Sequence, residues 1–275
     1  VNLSTGETTT LGVAFSPSDT GSFNGTLTVE TNDPNNPTLS QDLSGNGIEA
    51  NLSVSPSVAD FGEVRLAETA TRNQTLTLTN DGTAPVEIAS GTAITIQNDE
   101  TSAFELQPDQ TTLSSGGTIN PGTTETLTIE ADPTVVGSET ATLNIETAGE
   151  TPDVTTTLAT VGVKPEIALN TQSIAFDRTR LGETSAQEFI IRNTGNSPLN
   201  VSSIELTGDQ SGRVVISPNS PTGLTVPAGG QETVQLAYVP AITDVDAAKN
   251  GTAQTATVSI ENNDANEGII NVSVS

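Results

Sequence analysis

The side chains that most often do chemistry in proteins are missing from this sequence, which contains no His, Cys, Met or Trp. A Ser-His-Asp triad, a thiol nucleophile and a zinc site built on nitrogen or sulfur ligands are therefore excluded. Paired carboxylates remain, but glycoside hydrolysis needs them in a groove, and the sequence pattern predicts none. We expect no enzymatic activity, no catalytic residues and no organic cofactor.

Oxygen ligands are the remaining donor class, and they cluster in two short polar segments. Calcium prefers carboxylate, amide and backbone carbonyl oxygens. The candidate calcium ligands are Asp33, Asn35 and Asn36 in one segment, and Asp264, Asn266 and Glu267 in the other. The same residue types also build simple turns between strands, and no EF-hand spacing is present. The sequence leaves both interpretations open, a calcium site and a turn without metal.

Asparagine sequons form a third class of candidate site. Seven occur, at Asn2, Asn24, Asn51, Asn73, Asn200, Asn250 and Asn271. In a secreted protein this motif marks exposed positions that can carry glycans. The chain is so rich in Asn, Ser and Thr that chance produces nearly as many sequons, so the motif by itself does not predict glycosylation.

An internal repeat defines the elements that position these residues. The pairs that show it lie 115 or 116 residues apart and include Phe61 with Phe176, Leu66 with Leu181, Leu11 with Leu127, and Val13 with Ile129. A fixed period of this kind indicates a tandem array. We expect the C-terminal half of one unit in residues 1–48, and complete units in residues 51–162 and 165–275.

Hydrophobic residues alternate with polar ones inside each unit. Residues 75–79, 126–130 and 141–145 all follow the period of two that is typical of strands with one buried and one solvated face. Turn-forming residues such as those at 80–82 and 194–198 separate these segments. The pattern predicts an all-β fold of tandem Ig-like β-sandwiches, with about seven short strands in each.

The order of short motifs also resembles a known family. The first-half motifs are Phe61-Gly62, residues 66–69 and residues 78–86, and the third unit repeats them at 176–177, 181–184 and 192–199. Second-half motifs occur at residues 6–17, 31–34 and 43–47. Together they resemble the Ig-like domain of abnormal-spindle and hydin proteins, which recurs in bacterial and archaeal "choice-of-anchor D" surface proteins. The resemblance implies a scaffold or adhesion module without catalytic residues.

Net charge narrows the range of partners. Thirty-four acidic residues against eight basic ones give a formal net charge of -26. Such a chain repels phosphate backbones and anionic membranes, so we expect no nucleic-acid partner. We also expect no direct membrane insertion, because no apolar stretch approaches the length that spans a bilayer.

The short linkers at residues 45–50 and 162–165 predict an extended rod, because they restrict the angle between neighbouring domains. The leading unit lacks its first half, and half a sandwich exposes apolar surface and open strand edges. We therefore expect residues 1–48 to be completed, either by flanking sequence or by another chain.

Two functions fit these expectations. The first is a structural repeat of an extracellular filament, stalk or surface layer, which acts by end-to-end and lateral assembly with neighbouring repeats or with copies of itself. The second is a cell-surface adhesin or binding module that recognises glycans or proteins through its loops. Both place the chain outside the cell or on its surface.

Overall fold

A computed structural model describes residues 1–67, 72–91, 93–107, 113, 116–149, 151–208, 213–217, 223–240 and 255–275. Within these ranges the ordered elements are β-strands and no α-helix is present, which confirms the predicted all-β class. The polar insertion at residues 244–252, where the sequence suggested at most a single helical turn, lies outside the described residues.

The leading unit consists of one hairpin. Strands β1 (Gly21–Glu30) and β2 (Thr38–Gly47) pair antiparallel, with Gly21 opposite Gly47 and Glu30 opposite Thr38. Residues 1–20 contain no strand, although Leu11 and Val13 match residues of a central strand in the middle unit. A strand needs neighbours to satisfy its backbone, and among the described residues no strand lies beside this segment in a sheet.

The middle unit contains two four-stranded sheets and a small two-stranded one, with the orders β3-β5-β10-β8, β4-β12-β11-β7 and β6-β9. The chain passes from the first sheet to the second between β3 and β4, and β4 then pairs parallel to β12. The strands are β3 (Leu52–Ser55), β4 (Val58–Arg65), β5 (Arg72–Asn80), β6 (Val86–Ile88), β7 (Ile94–Gln97), β8 (Phe104–Leu106), β9 (Gly117–Ile119), β10 (Thr124–Ala131), β11 (Gly137–Ile145) and β12 (Val154–Val163).

The third unit repeats this plan with the sheet orders β13-β15-β19-β17 and β14-β21-β20-β16-β18. Its short strand β14 again pairs parallel to the last strand, β21. The strands are β13 (Ile167–Leu169), β14 (Ser173–Ile174), β15 (Ser185–Asn193), β16 (Leu199–Thr207), β17 (Val214–Ile216), β18 (Leu224–Val226), β19 (Gln231–Tyr238), β20 (Ala256–Asn262) and β21 (Ile269–Val274).

Each of these two units has its own hydrophobic core between its sheets. The predicted alternation is observed directly: Leu76 and Leu78 of β5 and Leu143 of β11 are fully buried, while the threonines between them are more exposed. The two buried clusters share no residue. The middle and third units can therefore be treated as separate packing units.

Two details differ from the predictions. The middle and third units contain more than seven strands each, because strands of only two to four residues, such as β8 and β14, escape detection by periodicity. The phenylalanines also differ in burial. Phe61 and Phe189 are core residues as expected, but Phe176 is only partly buried. Phe15 also lies at an apolar position of a strand-like pattern, which predicts a core residue, but it is 53% exposed, because among the described residues no second sheet packs over the sheet β1-β2.

Candidate functional site

The first calcium candidate is a self-contained turn between β1 and β2. The backbone N–H of Asn35 donates to Oδ1 of Asp33 at 2.9 Å, and the Asn36 side-chain amide donates to Oδ2 at 3.2 Å. These two donors hold the pKa of the Asp33 carboxyl below its ordinary value. Both carboxylate oxygens thus already accept hydrogen bonds from the turn itself.

The second calcium candidate, between β20 and β21, ties two parts of the third unit together. Asp264 is 3% exposed. Its Oδ1 accepts the Asn266 backbone N–H at 2.9 Å, and its Oδ2 accepts the Ile167 backbone N–H at 2.9 Å. Glu267 contributes its backbone carbonyl, which accepts a bond from the Asn262 side chain at 2.8 Å. The carboxylate therefore joins the turn to the first strand, β13.

Calcium binding at these turns remains a prediction. Among the described residues, there is no group of three or more acidic side chains that could hold a metal ion. If the melting temperature responds neither to chelator nor to millimolar calcium, the calcium hypothesis should be discarded.

The sequon asparagines lie on the surface wherever the structure describes them. Asn2, Asn24, Asn51, Asn73, Asn200 and Asn271 are all exposed, while Asn250 lies outside the described residues. Asn200 accepts a hydrogen bond from the Thr225 hydroxyl at 2.9 Å. Exposure leaves these side chains accessible, and glycosylation at them remains a prediction.

The site that the sequence analysis missed lies where each linker enters a domain. Asn80, at the end of β5, is fully buried. Its side-chain amide donates to the carbonyls of Ala84 and Ile119, both at 2.8 Å, and its Oδ1 accepts the Gly82 N–H at 2.9 Å. The side chain thereby fixes the turn that follows β5.

The third unit builds the same turn from Asn193, which is 1% exposed. Its amide donates to the carbonyls of Ser197 and Val226 at 2.8 and 3.0 Å, and its Oδ1 accepts the Gly195 N–H at 3.0 Å. We call these two arrangements the Asn-x-Gly turns, at residues 80–82 and 193–195. The sequence signal for them is the recurrence of Asn and Gly after 113 residues, which by itself indicates only a turn.

The glycine of each Asn-x-Gly turn lies against the incoming linker. A Cβ added at Gly82 would lie 2.3 Å from the Glu49 carbonyl oxygen, and one added at Gly195 would lie 2.3 Å from the Lys164 carbonyl oxygen. No side chain fits at such a distance, so only glycine allows this approach. The same carbonyls accept backbone N–H groups of the residues that follow, at Thr83 and Asn196.

Side chains from both units complete the junction between the middle and third units. Asn196 donates its amide to the Gly162 carbonyl at 3.1 Å and accepts the Lys164 N–H at 2.8 Å. Arg65, at the end of β4, donates to the Pro198 carbonyl at 3.4 Å. Lys164 forms an ion pair with Glu166 within the linker, which raises the pKa of Lys164. The linker backbone is thus held by hydrogen bonds at Gly162, Val163 and Lys164.

Comparison with protein families agrees with this architecture. The model of the HYDIN/CFA65/VesB-like Ig-like domain matches residues 50–160. Residues 50–160 are therefore similar to this Ig-like domain family. The match covers the middle unit and includes the hydin type that the motifs resemble; membership of the choice-of-anchor D group stays a prediction.

The solved structures that are similar to this chain have low sequence identity to it. A protein of unknown function from Porphyromonas gingivalis W83 is 15% identical, covering 81% of this chain and 97% of its own, with a TM-score of 0.31. The Vibrio cholerae VesB protease is 16% identical over 40% of this chain and 31% of its own, with a TM-score of 0.31. The Pseudomonas aeruginosa CupB2 chaperone is 10% identical over 80% and 98%, with a TM-score of 0.28. At these values none of them informs function.

The curated proteins contain no match to this chain. In the part of the chain that the structure describes, no helix has the length and apolar character needed to cross a membrane.

Proposed function

We propose that this chain is a structural segment of an extracellular filament, stalk or surface layer, whose Ig-like units are joined end to end at fixed angles into a rod. The observation that carries the proposal is the junction: a buried asparagine fixes each Asn-x-Gly turn, and its glycine receives the linker backbone. A linker bonded in this way transmits force and orientation between units better than a flexible one.

Surface charge supports the same function. The net charge of -26 disfavours nucleic acid and anionic lipid, whereas it keeps a long assembly soluble. No catalytic residue enters the proposal, and its partners are neighbouring repeats or further copies of the chain. Electron microscopy of native material tests it: periodic fibres or an ordered layer are expected, and isolated particles without longitudinal order would contradict it.

A second candidate function, an adhesin or binding module, is favoured by one observation. Phe15 and Phe23 form an exposed aromatic pair with ring centroids 5.9 Å apart, and exposed aromatic surfaces are frequent in binding sites. Because only this one aromatic pair supports the binding function, we place that function second. Attachment of the chain to glycan or protein surfaces, lost on Phe15→Ser, would favour this alternative.

A further inference from the structure

A buried carboxylate, Glu139, lies near the start of β11 on the side of the strand that faces the core of the middle unit. It is 8% exposed, and the next residues on the same face, Ala141 and Leu143, are 3% and 0% exposed. Acidic side chains are almost never fully buried unless they are paired. A buried ionised carboxylate destabilises the fold unless both its charge and its hydrogen bonds are compensated.

One oxygen of the Glu139 carboxylate lacks a hydrogen-bond donor among the described residues. The Thr101 hydroxyl donates to Oε2, whereas Oε1 is buried and accepts no hydrogen bond. Thr160 lies opposite Glu139 in the β11-β12 pair, but its hydroxyl donates to the Gly62 carbonyl at 3.1 Å. Because a hydroxyl has a single proton to donate, neither threonine can also serve Oε1.

No lysine or arginine among the described residues forms an ion pair with Glu139. The middle unit contains two basic residues, Arg65 and Arg72. The Arg65 guanidinium donates to the Pro198 carbonyl of the third unit, and Arg72 is exposed. A water molecule can donate a hydrogen bond to Oε1 but brings no charge. A bound cation would compensate both the unpaired oxygen and the buried charge.

Oxygen ligands for a cation are grouped beside this carboxylate. The loop between β7 and β8 places Thr101 against Glu139, and the Thr101 carbonyl accepts the Thr134 hydroxyl at 3.4 Å. The neighbouring Asp99 has a different role, because its two oxygens accept the backbone N–H groups of residues 103–104 at 2.8 and 3.0 Å. The ligand set is therefore one carboxylate together with the hydroxyl and carbonyl oxygens of two threonines.

The repeat indicates that the fold does not require a carboxylate at this position. Gly21 and Gly137 begin equivalent strands 116 residues apart, with φ of +121° and +119°. The residue two positions later is Phe23 in the leading unit and Glu139 in the middle unit. Since an apolar residue stands at the equivalent position, the buried carboxylate is a particular feature of the middle unit.

We propose that the Glu139 carboxylate, with oxygens of Thr101 and Thr134, binds a calcium ion whose coordination shell is completed by water. Calcium accepts hydroxyl, carbonyl and carboxylate oxygens in flexible geometry, whereas magnesium demands a regular octahedron. A single carboxylate predicts weak binding, with a Kd of about 10⁻³ M, as in extracellular modules. The ion holds the loop of residues 98–103 against β11. The site is separate from the turns at Asp33 and Asp264, and it goes beyond the proposed assembly function.

Hydrogen exchange on the whole chain tests the proposal with calcium chloride as the probe. Amides of residues 98–107 and 137–145 are compared in EDTA and in about 10 mM calcium, roughly ten times the expected Kd. We expect exchange through local opening to slow about tenfold, because a ligand of the closed form reduces opening by the factor 1 + [Ca²⁺]/Kd. Magnesium chloride at the same concentration should have no such effect, although it screens the net charge of the chain equally.

Two variants locate the ion. Glu139→Gln keeps the shape of the side chain and removes its charge, so it should abolish the calcium effect. In EDTA it should exchange no faster than the parent chain, because the uncompensated buried charge is gone. Glu146→Gln removes the same charge from an exposed position just after β11, and it should retain the tenfold response. The comparison of calcium with magnesium on the parent chain does not depend on how either variant folds.

Any of three results would overturn the proposal. The first is equal exchange of these segments in calcium and in EDTA. The second is equal protection by magnesium, which reduces the effect to charge screening. The third is a calcium effect that persists in Glu139→Gln, which places the ion elsewhere. None of these results bears on fibre periodicity or on the junction, so the assembly function fails or survives separately.

Discussion

The buried asparagine of the third unit can be tested quantitatively by Asn193→Ala. Its side chain takes part in four hydrogen bonds: two donated to the Ser197 and Val226 carbonyls, and two accepted from the N–H groups of Gly195 and Glu166. A net contribution of about 1 kcal/mol per bond, with buried partners left unsatisfied, predicts a loss of about 2 to 5 kcal/mol in the free energy of unfolding of this unit.

The chain provides its own reporter for the measurement. It has no Trp, and Tyr238 is its single tyrosine. The Tyr238 ring packs 5.6 Å from the ring of Phe176, so its fluorescence reports unfolding of the third unit. For a urea slope near 2 kcal/mol per M, the predicted loss lowers the midpoint of the Tyr238 transition by about 1 to 2.5 M.

Two variants serve as controls. Asn80→Ala removes the same kind of side chain from the middle unit, and it should leave the Tyr238 transition in place because the two cores share no residue. Asn271→Ala removes an exposed asparagine of the third unit and should change stability by less than about 0.5 kcal/mol. If Asn193→Ala has an effect as small as that of Asn271→Ala, the reasoning about the Asn-x-Gly turn is refuted.

Other substitutions test the core and the turns. Phe61→Ala should destabilise the middle unit by about 3 to 5 kcal/mol, since the side chain is 4% exposed, and hydrogen exchange resolved by unit would show it. Asp264→Ala should destabilise the third unit by about 2 to 4 kcal/mol, because two backbone N–H groups lose their acceptor; an unchanged Tyr238 transition would contradict this. The carboxyl of Asp33 should titrate below its ordinary pKa in NMR spectra, because it accepts the Asn35 N–H and the Asn36 amide. The turn therefore keeps these bonds above the ordinary pKa and loses them as pH falls through the lowered one, and Asn36→Ala should raise the pKa.

Much of the fold was predictable because its causes are local. Alternation at residues 75–79 and 141–145 identified strands whose apolar residues are now seen in the core. Turn-forming residue types predicted the turns at residues 80–82 and 194–198. The repeat then assigned these segments to equivalent places in each unit, which no single segment could have done.

The missed features depend on contacts between distant residues. The role of Asn80 requires the Ile119 carbonyl, 39 residues away in sequence, and that of Asp264 requires the Ile167 N–H, 97 residues away. The residue type alone does not predict that Asn80 and Asp264 are buried, because asparagine and aspartate are most often exposed turn residues. The exposure of Phe15 is not predictable for a different reason: its local pattern is that of a core strand, and its exposure depends on whether a second sheet packs over it, which the local pattern does not show.

The proposed structural function depends on a junction that holds neighbouring units at a fixed angle. Because the chain has no cysteine, the variants Thr140→Cys and Glu205→Cys together place one spin label on an exposed strand position of the middle unit and one on the third. Distances between the labels can then be measured by double electron–electron resonance. We predict one narrow distance distribution, which broadens or shifts in the Gly195→Ala variant because the added Cβ meets the Lys164 carbonyl. A broad distribution in the chain without Gly195→Ala would contradict the account.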